Sequence, residues 1–238
     1  MNQIKDINTK GINTKAIIFG MVLLFLCMQI GFHPTYWQYF PEFNQFTSLH
    51  HIHGALMASW MILLIVQPVL IHQKKYKTHR WLGKLSYWIA PLMIISMFLV
   101  LRFTYHKHVL EISANEEMSS QAPIIMQLFS FTILYVLAIH YRKQPFYHMR
   151  FMIGTALVMV LPTLGRIFYE YFEAEVWYEL YLIVGMAFAL MINDIRKHDD
   201  WKPYAIITAV LSIILFVYEA RHTPTWNALG RFWANTFY

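Results

Sequence analysis

The stretch HHIHGALMASWMILLIVQPVLIH, which occupies His50–His72, decides the fold class of this protein. Its 23 residues include no Asp, Glu, Lys or Arg. A helix of about 20 apolar residues is long enough to cross the roughly 30 Å hydrocarbon layer of a membrane. The stretch therefore predicts a membrane-spanning helix, and comparable apolar runs recur along the chain.

The composition of the whole chain agrees with a membrane location. Of the 238 residues, 58% are hydrophobic and 13% are charged, whereas about 25% of the residues in a soluble domain are charged. The formal net charge is +6, but the basic residues fall in short loops beside the apolar runs. They are interpreted as signals of membrane topology. The predicted partner is therefore the lipid bilayer, and no nucleic acid is expected to bind.

Seven apolar runs are candidates for membrane spans. They divide the chain into a polar tail at 1–15 and a single transmembrane helical domain at 16–238. The sequence thus predicts an all-α polytopic membrane protein in which spans two to five form a four-helix core bundle. The seven predicted spans are Ala16–Phe32, His50–His72, Leu85–Phe103, Ala122–Tyr141, His148–Tyr169, Trp177–Asn193 and Tyr204–Tyr218.

The charges of the predicted loops alternate along the chain. Basic residues crowd the tail and the second, fourth and sixth loops, whereas the first loop has no Lys or Arg and the fifth is acidic. Short basic loops remain on the cytoplasmic side of a membrane. The tail is therefore predicted to be cytoplasmic and the C-terminus to lie outside.

Two predicted helical hairpins carry the same histidine and arginine pattern. In each hairpin a histidine ends one span, and after a basic loop a second histidine opens the next span close to an arginine. These residues are His72, His79 and Arg80 in the first hairpin and His140, His148 and Arg150 in the second. A duplicated hairpin is one way to build a four-helix bundle, with binding sites between facing helices.

The histidines of these hairpins have the chemistry of cofactor ligands. A neutral imidazole ligates haem iron and transition metals, and an arginine can pair with a haem propionate. We therefore predict a b-type haem or a metal held by His79 and His148, with Arg80 and Arg150 as charge partners. The alternative is that these histidines bond to water, lipid phosphates or helix ends, and that the arginines lie at the headgroups.

A further set of polar residues shares one face of the second span. His53, Trp60 and Gln67 are spaced by seven residues, which places them on one stripe of a helix. A polar side chain at membrane depth faces the protein interior, because hydrocarbon offers it no hydrogen bond. We therefore expect His53 to face the interior and His50 or His51 to face water or headgroups.

Arg166 belongs to a similar stripe of the fifth span, together with His148, Thr155 and Pro162. It lies near the end of that span. A long arginine side chain there either snorkels to the headgroups or pairs with a buried carboxylate, a tyrosine or the negative charge of a ligand.

The motifs of spans two to five resemble those of a membrane-protein family. The run HIHGALMASWMILLIVQPVLI…HRWLGKLSY, followed by HMRFMIGTALVMVLPTLGRI, resembles a family of uncharacterised bacterial inner-membrane proteins with an HxHG…HRxLG…HxRxM pattern. The resemblance implies a multi-pass protein of the bacterial inner membrane. The family has no settled activity.

The same region is more loosely similar to the cytochrome b561 type of four-helix haem bundle. That similarity pairs His72 with His140 and His79 with His148. All four histidines are predicted at one side of the membrane, whereas two stacked haems need a pair at each side. The resemblance therefore implies at most one haem.

Three functions from different classes agree with the sequence. The first is a redox protein with a haem or metal near the cytoplasmic face and a quinone or another electron-transfer partner. The second is a small-solute transporter or channel lined by Trp60, Gln67, Thr155 and Arg166. The third is an assembly subunit without chemistry of its own. The chain has no H-E-x-x-H motif or P-loop, which are signatures of metalloprotease and nucleotide chemistry.

Overall fold

The computed structural model describes residues 13–174 and 177–238, and these residues form an all-α structure. The described part contains nine α-helices, one short 3-10 helix at Trp37–Tyr39 and no β-strand. Apart from Asn13–Lys15, the predicted polar tail lies outside the described residues. The α-helices are α1 (Thr14–Phe32), α2 (Ser48–His72), α3 (Tyr76–Gly83), α4 (Ser86–His108), α5 (Ala114–His140), α6 (Pro145–Phe172), α7 (Tyr178–Arg196), α8 (Lys202–Ala220) and α9 (Pro224–Phe237).

Seven helical segments of the described chain are long and apolar enough to cross a membrane, which confirms the predicted polytopic fold. The short helix α3 and the long helix α4 count together as one of the seven. The ends of the spans lie within five residues of the predicted ends, with two exceptions. The third span, counted from α3, begins at Tyr76, nine residues before the predicted start at Leu85. Helix α5 begins at Ala114, eight residues before the predicted start at Ala122.

The early start of α5 follows from its first turn. The Ser113 hydroxyl accepts from the backbone N–H of Glu116 at 3.3 Å, and the Glu116 carboxylate accepts from the backbone N–H of Ser113 at 3.1 Å. This capping box satisfies backbone donors that have no partner within the helix. A carboxylate is also favourable at a helix N-terminus. The acidic residues before the apolar run therefore belong to the helix.

The spans pack as two four-helix rings that share the hairpin α5–α6. In the first ring, the helices of spans two to five, α2, α4, α5 and α6, contact one another in cyclic order. In the second ring, α5, α6, α7 and α8 do the same. Helix α1 packs against α2 and α6 from outside the first ring. Because both rings use them, α5 and α6 are the most buried of the spans.

A proline in α6 is matched by a glutamine in α5. Pro162 has no backbone N–H, so the carbonyl of Val158 one turn earlier loses its usual helical partner. Gln127 of α5 donates from Nε2 to that carbonyl oxygen at 3.0 Å. An unpaired carbonyl is costly inside a membrane. This hydrogen bond therefore explains a buried glutamine in an apolar core and ties α5 to α6.

Helix α1 approaches α6 closely at one glycine. Gly31 is buried, and a Cβ atom placed there would lie 2.6 Å from the backbone oxygen of Thr163. Small residues let membrane helices approach in this way. Much of the rest of α1 is exposed and apolar, as expected of a surface that contacts lipid tails. Its exposed large side chains are Phe19, Val22, Leu23, Leu26 and Ile30.

After the last span the chain turns back, and α9 packs against α5, while Tyr238 at its end contacts Tyr105 of α4. Trp226 donates from Nε1 to the backbone oxygen of Met118 at 3.1 Å. The hydroxyl of Tyr238 donates to Oε1 of Gln121 at 2.8 Å, and burial raises the pKa of Tyr238 to about 12. Helix α9 was not predicted from the sequence. Its outer face exposes the apolar side chains of Leu229, Phe232 and Phe237.

Candidate functional site

The repeated histidine hairpins meet at one end of the bundle. We call this the basic end, and define it by the loops at 73–75, 141–144 and 197–201 that connect α2 to α3, α5 to α6 and α7 to α8. The opposite end carries the loops at 33–47, 109–113 and 221–223. The basic end is the predicted haem or metal site.

His148 in the first turns of α6 is held by the end of the preceding helix. Its Nδ1 bonds to the backbone oxygen of Ala138 in α5 at 2.8 Å. Ala138 lies in the last turn of α5, where carbonyls lack intrahelical partners. A carbonyl can only accept, so Nδ1 of His148 carries the proton and Nε2 is left as a bare acceptor. Among the described residues, Nε2 of His148 has no hydrogen-bond partner.

His79 in α3 is held by the opposite arrangement. The Gln67 amide of α2 satisfies all its contacts when its nitrogen faces His79. In that orientation the nitrogen donates to Nδ1 and to the backbone oxygen of His79, the latter at 3.2 Å, and the amide oxygen accepts from the Gly83 N–H at 3.0 Å. Nδ1 of a neutral His79 is then an acceptor, and its proton lies on Nε2. Gln67, which shares a face of α2 with His53 and Trp60, thus determines which nitrogen of His79 carries the proton.

The two histidines therefore present different nitrogens to one region of the molecule. Both side chains are half-buried at the basic end, His79 in α3 and His148 in the first turns of α6. A metal-ligating histidine typically donates one N–H to a carbonyl and binds through the other nitrogen. His148 fits this description, whereas His79 presents an N–H donor. The donor set thus fits one histidine ligand of a haem. Within the described part of the chain, no group of three His, Cys, Asp or Glu residues could hold a bare metal ion.

The other two histidines of the repeated pattern lie at the exposed ends of their helices. His72 bonds through Nδ1 to the hydroxyl of Thr14 in α1 at 3.0 Å. The His140 ring packs edge-on against the ring of its neighbour Tyr141, with 4.8 Å between the ring centres. No hydrogen bond joins His72 to His140 in the described structure. Each contributes to the end of its own hairpin.

The structure places the two predicted charge partners in different surroundings. Arg80 is exposed beside His79. Arg150 is buried, and its Nε donates to a carboxylate oxygen of Asp194 in α7 at 2.6 Å, with each side chain 4% exposed. Its guanidinium also lies 3.0 Å from the ring centre of Phe146, and Nη2 lies 3.9 Å from a carboxylate oxygen of Asp199. The charge of Arg150 is therefore engaged within the protein.

Asp194 is a site residue that was not predicted from the sequence. It ends an apolar span in the sequence MINDIR, and a lone carboxylate at the edge of a membrane is costly unless it is paired. This cost could have marked Asp194 in the sequence, because a carboxylate at this position predicts a cation on a neighbouring helix. Only the packing of α7 against α6 shows that the cation is Arg150.

A second pair of polar groups lies next to this ion pair. The hydroxyl of Tyr147 donates to the carboxylate of Asp200 in the loop before α8. This hydrogen bond is the main cause that lowers the pKa of Asp200 below its ordinary value, and Lys202 contributes in the same direction. The basic end thus contains paired charges within a few residues of His148.

The polar stripe of α2, formed by His53, Trp60 and Gln67, runs from one end of the first ring to the other. His53 bonds through Nδ1 to the hydroxyl of the buried Ser96 in α4 at 3.1 Å. Trp60 is fully buried against the edges of Phe131 and Tyr135, and its Nε1 has no partner among the described residues. Apolar side chains separate these groups along the helix, so the described stripe is a series of separate polar contacts.

The crowded histidines at the start of α2 have separate partners. His50 caps the helix, since its Nδ1 accepts from the backbone N–H of Thr47 at 3.2 Å. His51 bonds to the hydroxyl of Tyr36 at 2.5 Å. Together with His53, which turns to α4, they connect α2 to its own N-terminus, to the preceding loop and to the neighbouring span. At the same end, Arg166 contacts Thr35 in the loop after α1.

Comparisons with known protein families, with curated proteins and with solved structures gave no match for this chain.

Proposed function

We propose that this integral membrane protein is a redox protein that binds one b-type haem at its basic end, with His148 as an iron ligand. The supporting observation is the fixed imidazole of His148. Its Nδ1 is held by the carbonyl of Ala138 at 2.8 Å, and its Nε2 has no partner among the described residues. A histidine that ligates a metal is held in this way. The same hydrogen bond fits the alternative in which His148 caps the end of α5, and the absorption spectrum described below separates the two.

The residues around His148 have complementary roles in this proposal. A bound haem would supply reversible one-electron transfer. The carbonyl of Ala138 keeps the proton on Nδ1 of His148 and makes Nε2 more basic. Because Gln67 donates to Nδ1 of His79, the proton of His79 lies on Nε2, and this N–H is available as a hydrogen-bond donor at the basic end.

The charged residues differ in what they can offer to haem propionates. Arg150 is paired with Asp194 at 2.6 Å, so its role in the proposal is to hold α6 against α7 beside the site. Arg80 is exposed beside His79 and remains free to bind a propionate. The proposal includes an orientation in which the basic end faces the cytoplasm of a bacterial inner membrane. A quinone or a redox protein would exchange electrons with the haem.

An absorption spectrum of protein purified in mild detergent from haem-sufficient cells tests this proposal. We expect a Soret band for the wild type and for His140→Ala, which removes an exposed histidine of the same hairpin. His148→Ala should lose the band. His79→Ala should keep the haem but shift its spectrum, because the neighbouring hydrogen-bond donor is lost.

A colourless wild-type protein would refute the redox proposal. A band that survives in His148→Ala and disappears in His140→Ala would refute the assignment of the ligand. The transporter and the assembly subunit would then be the functions to test.

A further inference from the structure

Helix α6 carries a second arginine at the opposite end of the bundle. The Nε of Arg166 donates to the hydroxyl oxygen of Thr35 at 3.0 Å, and its Nη1 donates to the backbone oxygen of Pro162 at 2.9 Å. The guanidinium lies over the ring of Phe32, 4.3 Å from the ring centre. All three groups are uncharged. The positive charge of Arg166 is thus held in place but is not neutralised by them.

Arg150 provides a comparison within the same helix. It has a carboxylate oxygen at 2.6 Å, whereas no carboxylate oxygen of the described residues lies within 4.0 Å of Arg166. Glu170, one turn further along α6, has no carboxylate oxygen within 4.0 Å of the Arg166 guanidinium nitrogens. The buried Glu179 of α7 lies against Gly165. A partly buried cation without a counter-ion is costly, particularly near a membrane.

The groups around Arg166 are suited to an anion with several oxygen atoms. Nη2 of Arg166 has no hydrogen-bond partner in the described structure, and the Thr35 hydroxyl, which accepts from Nε, still has its own hydrogen to donate. A guanidinium fork matches the geometry of a phosphate.

The depth of Arg166 matches the phosphate layer of a bilayer. At about 1.5 Å per residue the 28 residues of α6 span roughly 42 Å, so a centred helix extends about 6 Å beyond each side of a 30 Å hydrocarbon layer. Arg166 is six residues before the end of α6. Its Cα therefore lies about 3 Å inside the hydrocarbon boundary, and the long side chain reaches the headgroups.

We propose that Arg166, with Thr35, forms a binding site for a phosphate group at the opposite end of the bundle. The phosphate belongs to a phospholipid headgroup or to free inorganic phosphate, and both present the same oxygens to the guanidinium. This site is independent of the proposed haem site, which lies at the other end of α6.

Delipidated protein in mild detergent, titrated with three probes, tests the proposal. The probes are short-chain phosphatidylglycerol, the matching diacylglycerol without a phosphate, and inorganic phosphate. The readouts are bound adducts by native mass spectrometry and the shift of the thermal unfolding midpoint. For the wild type we expect phosphatidylglycerol to bind and stabilise, and diacylglycerol to bind at least fivefold more weakly. Stabilisation by inorganic phosphate alone would identify free phosphate as the source.

The variants assign the binding to Arg166. Arg166→Gln should weaken binding of the phosphate-bearing probe at least fivefold, whereas Arg102→Gln removes an exposed arginine near the same end and should not. Arg166→Lys keeps the positive charge but loses the paired N–H donors of the guanidinium, and should bind the phosphate-bearing probe with intermediate affinity. This variant replaces Arg166→Gln in the test if Arg166→Gln does not fold. Equal binding of the two lipids without stabilisation by inorganic phosphate would overturn the proposal. Equal binding of the phosphate-bearing probe by the wild type, by Arg166→Lys and, where it folds, by Arg166→Gln would overturn it as well.

Discussion

At the scale of single residues, the histidines of the basic end take their roles from the groups that hold Nδ1. His148 faces a carbonyl and His79 faces an amide nitrogen, so the same side chain presents an acceptor in one case and a donor in the other. The repeated sequence pattern predicts neither role, because Ala138 and Gln67 lie outside it. A histidine motif thus indicates a position, and its neighbours determine the chemistry.

The buried ion pair Arg150–Asp194 leads to a prediction about stability. Asp194→Ala leaves a buried guanidinium without its carboxylate at 2.6 Å, and we expect it to lower the free energy of unfolding by about 3–5 kcal/mol. Asp199→Ala removes a weaker, partly exposed contact at 3.9 Å and should cost about 1 kcal/mol or less. Denaturant titration in detergent measures both. Similar losses for the two variants would contradict the assignment of Asp194 as the main partner.

The hydrogen bond from Tyr147 to Asp200 gives a prediction about pH. It lowers the pKa of Asp200 in the folded protein, so the unfolded chain binds this proton more tightly. The stabilisation is therefore present above the ordinary carboxyl pKa of about 4 and is lost as the pH falls through the folded pKa. The thermal unfolding midpoints of the wild type and Tyr147→Phe should differ at pH 6 and converge towards pH 3. Tyr87→Phe, an exposed tyrosine, should follow the wild type throughout.

At the scale of helices, the contact of α1 with α6 depends on one missing methyl group. Gly31→Ala places a Cβ 2.6 Å from the backbone oxygen of Thr163, and such overpacking costs about 1–3 kcal/mol. Gly20→Ala on the same helix meets nothing within 4 Å and should leave stability unchanged. We expect Gly31→Ala to lower the unfolding midpoint and to speed protease cleavage between α1 and α2. Equal behaviour of the two variants would show that α1 docks differently.

The helices also show how much of the fold can be predicted from the sequence. Apolar length predicted all seven spans, because the membrane imposes a minimum number of apolar residues on each. The start of α5 was missed because its acidic first turn is polar and so lies outside the apolar run. This turn is helical because the capping box of Ser113 and Glu116 stabilises it. Helix α9 was missed because it is short and amphipathic, and only its contacts with Met118 and Gln121 reveal its position. Ala138, Gln67 and Asp194 became site residues through packing that no local pattern contains.

At the scale of the whole molecule, the orientation in the membrane is a further prediction. The basic loops should lie on the cytoplasmic side. A reporter inserted at 141–144 should behave as cytoplasmic, and one inserted at 109–113 should behave as periplasmic. Both positions are in loops between spans that the structure describes, so the insertions leave the spans intact. The reverse result at both positions would overturn the orientation and move the proposed haem site to the other side of the membrane.

The position of two arginines on one continuous helix has a consequence for the membrane itself. Arg150 and Arg166 are 16 residues apart on α6, which corresponds to about 24 Å along the helix axis. One is anchored to α7 through Asp194, and the other, in the proposal above, to a phosphate. Helix α6 then fixes the distance between the basic end at one membrane surface and the phosphate layer at the other surface. A bilayer of different thickness must tilt this helix or deform around it, so we expect the affinity of the protein for its surrounding lipids to depend on acyl-chain length.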